Sequence, residues 1–111
     1  MISGQGYRVE KLIYTNEFLK KLEPLIVKND MKKIQKIKES LLLIAKEDSK
    51  TTVKSRNVKL ENIKTKTNDD IFMIEICFKQ LIYNLFWTIK DSQKIIITLT
   101  KETDKNFMVN F

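Results

Sequence analysis

The chain has 111 residues and a formal charge of +7, with 21 Lys and Arg against 14 Asp and Glu. Its 42% hydrophobic content, two Gly and one Pro describe a single globular domain over residues 1–111 and exclude a long disordered linker. The absence of His and the single cysteine, Cys77, exclude His-based triads, His general bases, the common zinc sites and an internal disulfide.

Residues 7–14, "YRVEKLIY", are rich in strand formers and predict a short strand. Thr15 or Asn16 then offers a helix N-cap and Glu17 a first-turn carboxylate. Phe18, Leu22, Leu25 and Ile26 follow at helical spacing, with Pro24 inside the pattern predicting a kink or break. Asp30 is placed to cap a second helix. There Ile34, Ile37, Leu41 and Ile44 form one apolar face and Lys32, Lys33, Lys36 and Lys38 occupy the others, with an end near residues 46–49.

After residue 50 the period changes. A strand is expected around residues 58–63 and a turn in "TKTNDD", residues 65–70. In the next strand Phe72, Ile74, Ile76 and Phe78 share one face, and Met73, Glu75 and Cys77 the other. Lys79 and Gln80 are candidates for a tight turn. The following strand places Leu81, Tyr83, Leu85, Trp87 and Ile89 on one side and Ile82, Asn84, Phe86 and Thr88 on the other. "KDSQ" is a turn, "KIIITLT" a last central strand, and "KETDKNFMVNF" a short tail helix or strand. The expected fold is α+β, with an N-terminal strand and a helix pair packed on one face of an antiparallel sheet.

The all-apolar side of residues 72–87 is core, with Tyr83 and Trp87 as packed rings. The other side, with Met73, Glu75, Cys77, Asn84 and Phe86, is a candidate partner-binding face. Phe86, like Trp87 if it is not packed, offers a ring on which a base can stack, and Glu75 is placed either to act as a general base or, the favoured reading, to pair with a Lys across the strands. Cys77 has no adjacent His or cluster of cations in sequence and reads as an inert, half-buried thiol. A basic group, Lys54, Arg56, Lys59, Lys64, Lys66 and Lys79, is a candidate nucleic-acid rim. The alternative reading of these lysines is a solvated loop and strand edge, where Lys discourages edge pairing. The charge fits a polyanionic partner, although a Lys-, Ile- and Asn-rich chain also follows from an AT-rich genome. No glycine-rich phosphate loop, metal site or cofactor motif is present, no apolar run is long enough to cross a bilayer, and a cytoplasmic location is expected.

The layout from residue 72 to residue 105, with "FLKKLEPL" at residues 18–25 and "VKLENI" at residues 58–63, resembles the RelE/ParE superfamily of toxin–antitoxin toxins. It is most similar to the phage-derived Gp49-like and HigB-like branch. "IFMIEI", "IYNLFW" and "KIIITLTKETDK" occupy the three late strand slots of that family. The resemblance implies ribosome-dependent mRNA cleavage, with RNA, the ribosome and an antitoxin as partners. It also implies cationic side chains that stabilise the pentacovalent phosphate. Cys77 and Asn84 stand where the family carries Arg, so Arg56, Lys59 and Lys101 are the remaining catalytic candidates. Two other readings accompany this one: a non-catalytic descendant, such as a phage-encoded inhibitor that binds a host protein or a nucleic-acid complex, and ParE-like gyrase inhibition.

Overall fold

The computed structural model describes residues 11–46, 57–78 and 81–101, with side chains given for all of these except residues 57–64. The order of elements is β1 (Leu12–Tyr14), α1 (Asn16–Val27), α2 (Met31–Lys46), β2 (Asn57–Lys64), β3 (Asp70–Phe78), β4 (Leu81–Lys90) and β5 (Gln93–Lys101). Two helices pack on a sheet, giving an α+β fold. The sheet order is β1-β5-β4-β3-β2. The expected all-antiparallel sheet is corrected at one edge, because β1 runs parallel to β5, with Tyr14 opposite Ile96. β1 leads directly into α1, and the whole helical and meander section lies between the two strands, the long crossover that a parallel pair requires.

Thr15 is the N-cap of α1, and its hydroxyl oxygen accepts from the Phe18 amide at 3.1 Å. The same hydroxyl donates to the Ile97 carbonyl at 2.5 Å, and the Thr15 amide donates to the Ile96 carbonyl at 3.1 Å. This is where β5 carries a bulge. Phe86 opposes Thr98 while Trp87 opposes Ile96, which leaves Ile97 as the extra residue. The bulge and the cap together fix how α1 leaves the sheet.

Pro24 does not break α1, which continues to Val27. Proline lacks the amide that would bond to the Lys20 carbonyl, but only one turn remains beyond it and the loss is confined there. The helix then stops in a Schellman arrangement. Asn29 has φ of 54°, its amide donates to Ile26 at 3.0 Å, and the Asp30 amide donates to Leu25 at 3.0 Å. Asp30 begins α2 at once, its carboxylate accepting from the Lys33 amide at 3.4 Å. At the other end of α2 the Lys94 ammonium donates to the Ile44 and Ala45 carbonyls at 2.7 and 3.2 Å. A cation on those last carbonyls also complements the helix dipole.

Phe18, Leu22 and Leu25 of α1 and Ile34, Ile37, Leu41 and Ile44 of α2 are buried in one core with Phe72, Ile74, Ile76, Tyr83, Leu85, Trp87, Ile96 and Leu99. The faces read from alternation in β3 and β4 are those observed. Trp87 stacks on Phe72 with ring centroids 4.7 Å apart. The opposite face carries a second, smaller cluster of Ile71, Phe86 and Ile97, with Met73 against it. Phe78 opposes Leu81 across the β3–β4 connection. Lys90 opposes Gln93 around Asp91 and Ser92, whose φ values of 51° and 63° are those of a type I′ hairpin turn. Among the described residues no helix is long and apolar enough to cross a membrane.

The expected strand over residues 7–14 is described only from Leu12, and the tail from residue 102 lies outside the described residues, as does the turn at Lys79 and Gln80.

Candidate functional site

The end of α1, the start of α2 and the far ends of β4 and β5 enclose a cleft of about 300 Å³. α1 contributes Lys20, Lys21, Pro24, Leu25 and Lys28, the helix joint Asp30, and α2 Lys33. Tyr83 from β4 and Leu99 and Lys101 from β5 complete it. The local sequence explains this gathering. Lys20, Pro24 and Lys28 recur every fourth residue and so stand on one helix face, while Leu25 turns toward the core. Tyr83 opposes Lys101 across the β4–β5 ladder, which brings the last described residue of β5 beneath the end of α1.

The floor of the cleft is apolar and fixed. Leu25, Tyr83 and Leu99 are all buried members of the main core, and the Tyr83 ring is held edge-on against Phe78 at 5.6 Å. The rim is cationic. Lys33 pairs with Asp30 at 3.3 Å, and the Asp30 carboxylate also caps the start of α2. Among the described residues, Lys20, Lys21 and Lys28 have no carboxylate within 4.0 Å. Three mobile ammonium groups above an apolar floor attract an anion without prescribing a bidentate geometry, because Lys acts as a point charge.

The residues singled out from sequence are dispersed. Lys101 is exposed and lines the cleft. Lys59 lies on β2 opposite Phe72, and Lys64 opposite Asp70. From the register, Lys59 and Lys101 stand three strands and four ladder positions apart, roughly 20 Å between Cα atoms. Lys66 is exposed in the β2–β3 turn, at the opposite end of the sheet from Lys101. Lys54, Arg56 and Lys79 lie outside the described residues.

The expected partner face is also changed. Phe86 is only 2% exposed, packed with Ile71 and Ile97. It is therefore unavailable for stacking a base or docking a partner. Met73 and Asn84 are half-buried, and Glu75 and Cys77 are exposed. Glu75 opposes Asn84 rather than a lysine, and it has no ion-pair partner among the described residues. Within this face the Asn84 side-chain oxygen and the Thr98 hydroxyl are buried without a hydrogen-bond partner.

Reading the sequence missed Lys20, Lys21, Lys28 and Lys33 as a group. The available signal was the fourfold spacing of Lys20, Pro24 and Lys28 beside a helix-ending "KND". Among the described residues no set of three or more His, Cys, Asp or Glu side chains is placed to hold a metal ion. No family model, no curated protein and no solved structure matches the chain.

Proposed function

We propose that the protein is an RNA-directed, toxin-like component of a toxin–antitoxin pair, acting in the bacterial cytoplasm on RNA at the ribosome. The observation that carries this reading is the cleft, where Lys101 is joined by Lys20, Lys21, Lys28 and Lys33 in a cationic rim. A net charge of +7 adds long-range attraction for a polyanion. The order of a strand, a helix pair and an antiparallel meander is the one that the resemblance to RelE/ParE toxins implies. RNA holding is the primary activity in this reading. Cleavage is slow, because Cys77 and Asn84 supply no cation where the family carries Arg.

The replacement of the family's Arg positions by Cys77 and Asn84 favours a second reading: a non-catalytic relative of the same fold that inhibits a host protein or nucleic-acid complex by binding it. Induced expression in a bacterial host, followed by sequencing of mRNA ends, separates the two. Growth arrest with new mRNA ends, both diminished by Arg56→Ala with Lys101→Ala, supports the toxin. Growth arrest without new ends supports the binder. Unchanged growth together with no RNA retention by the purified protein sinks the RNA-directed reading.

A further inference from the structure

We infer that the cleft between α1 and the ends of β4 and β5 is a pocket for the oligophosphate group of a nucleotide, carried either by a free nucleoside triphosphate or by the 5′ end of an RNA. The inference rests on the reading above only for the RNA source. Three observations lead to it.

The first is size and shape. A concavity of about 300 Å³ lies at the lower end of the range for small-ligand pockets, about 300–1,000 Å³. It admits one nucleotide-sized group. A duplex is read along successive grooves over many base pairs, and its broad, rigid backbone does not enter so small a cleft.

The second is charge density. Asp30 neutralises Lys33 at 3.3 Å, which leaves Lys20, Lys21 and Lys28 on the α1 rim. An internal phosphodiester brings a single negative charge. A terminal phosphate alone brings about −1.5 to −2 at neutral pH, and a di- or triphosphate matches three or more lysines in one small volume. Asp30 already holds the first turn of α2, so the lysines, and not that helix terminus, are the anion-binding groups.

The third is the floor. Leu25, Tyr83 and Leu99 are core residues held in place on their inner sides, with Pro24 beside them at the rim. An inorganic oligophosphate gains nothing from such a surface. A ribose or base gains apolar contact with exposed Pro24 and the lysine stems of the rim, while Leu25, Tyr83 and Leu99, only 7, 6 and 2% exposed, close the bottom of the cleft without offering a ring face. Lys side chains lack the planar fork that reads base edges, so the pocket selects for phosphate number and not for base identity.

The test uses the full chain. A short single-stranded RNA bearing a 5′-triphosphate is titrated beside the same RNA with a 5′-hydroxyl, beside ATP and GTP, and beside inorganic tripolyphosphate. A Lys20→Gln, Lys21→Gln, Lys28→Gln variant is compared, with its thermal midpoint confirming that it is folded. The expected result is about tenfold tighter binding of the triphosphate-ended RNA than of the hydroxyl-ended RNA. ATP and GTP bind alike and more tightly than tripolyphosphate, and these preferences vanish in the variant. RNA bound equally with either end overturns the pocket and leaves the RNA-directed reading standing. ATP and GTP bound while neither RNA binds supports the pocket and overturns that reading. Tripolyphosphate bound as tightly as ATP, or preferences that persist in the folded variant, overturns the inference.

Discussion

At the scale of single residues, burial and hydrogen bonding make separable demands. Leu41 is fully buried between the helix pair and the sheet. Its replacement by Ala removes apolar contact and leaves a cavity, so Leu41→Ala should lower stability by about 2–5 kcal/mol in chemical denaturation. An unchanged midpoint would place α2 elsewhere. Thr98 is the opposite case. It is fully buried, yet its hydroxyl has no partner. A buried donor left unpaired costs about 1–3 kcal/mol, and an apolar group of the same shape removes that cost. Thr98→Val should therefore raise the free energy of unfolding by about 1 kcal/mol in chemical denaturation. A fall in stability would show that the hydroxyl is engaged. Thr15 illustrates how much one side chain can coordinate, since its hydroxyl accepts from the Phe18 amide and donates to the Ile97 carbonyl. It joins a helix cap to a strand bulge.

Among the elements, those with strong local chemistry were legible from the sequence. The spacing of Ile34, Ile37, Leu41 and Ile44 identified α2 and its buried face. Alternation in residues 72–89 gave the faces of β3 and β4, because one side had to meet the helices. The turn at Asp91 and Ser92 was visible as a polar interruption. Its I′ geometry was not visible, because neither residue is the Asn or Gly that usually signals it. Ser92 at φ 63° suffers the left-handed penalty of a residue with a Cβ, about 1–2 kcal/mol. Ser92→Gly should stabilise the β4–β5 hairpin by about 1 kcal/mol, partly offset by greater freedom in the unfolded chain. A lower melting midpoint would mean that the serine hydroxyl compensates. Pro24 was overread as a break, since propensity rules do not specify how near a helix end a proline falls. The parallel β1–β5 edge was invisible for a different reason. Three residues, Leu12–Tyr14, carry no signal of their partner or direction.

That last pairing explains why the candidate site was only partly legible at the scale of the whole molecule. Lys101 was noticed for its place in the tail of the family pattern. Lys33 stands on a non-apolar face of α2 by its spacing, which carries no sign of a site because lysines at helical spacing are usually solvated. Their convergence with Lys20, Lys21 and Lys28 depends on β5 lying beside β1, which sets the end of α1 over the end of β5. If the α1 lysines hold three phosphate charges of a single strand, log affinity should fall with log salt at a slope of about −2. The Lys20→Gln, Lys21→Gln, Lys28→Gln variant should be nearly flat over the same range. An equal slope in both proteins would move the contact to another surface. The same closure has a bearing on synthesis. The Thr15–Ile97 bond spans 82 positions, which at about 5–20 residues per second separates the emergence of its two partners by roughly 4–16 s. Throughout that interval Phe18, Leu22 and Leu25 have emerged while the β5 surface that covers them does not yet exist. The nascent chain must keep α1 from sticking to its neighbours for seconds, long after α1 and α2 can pair, and the arrival of β5 ends that exposure.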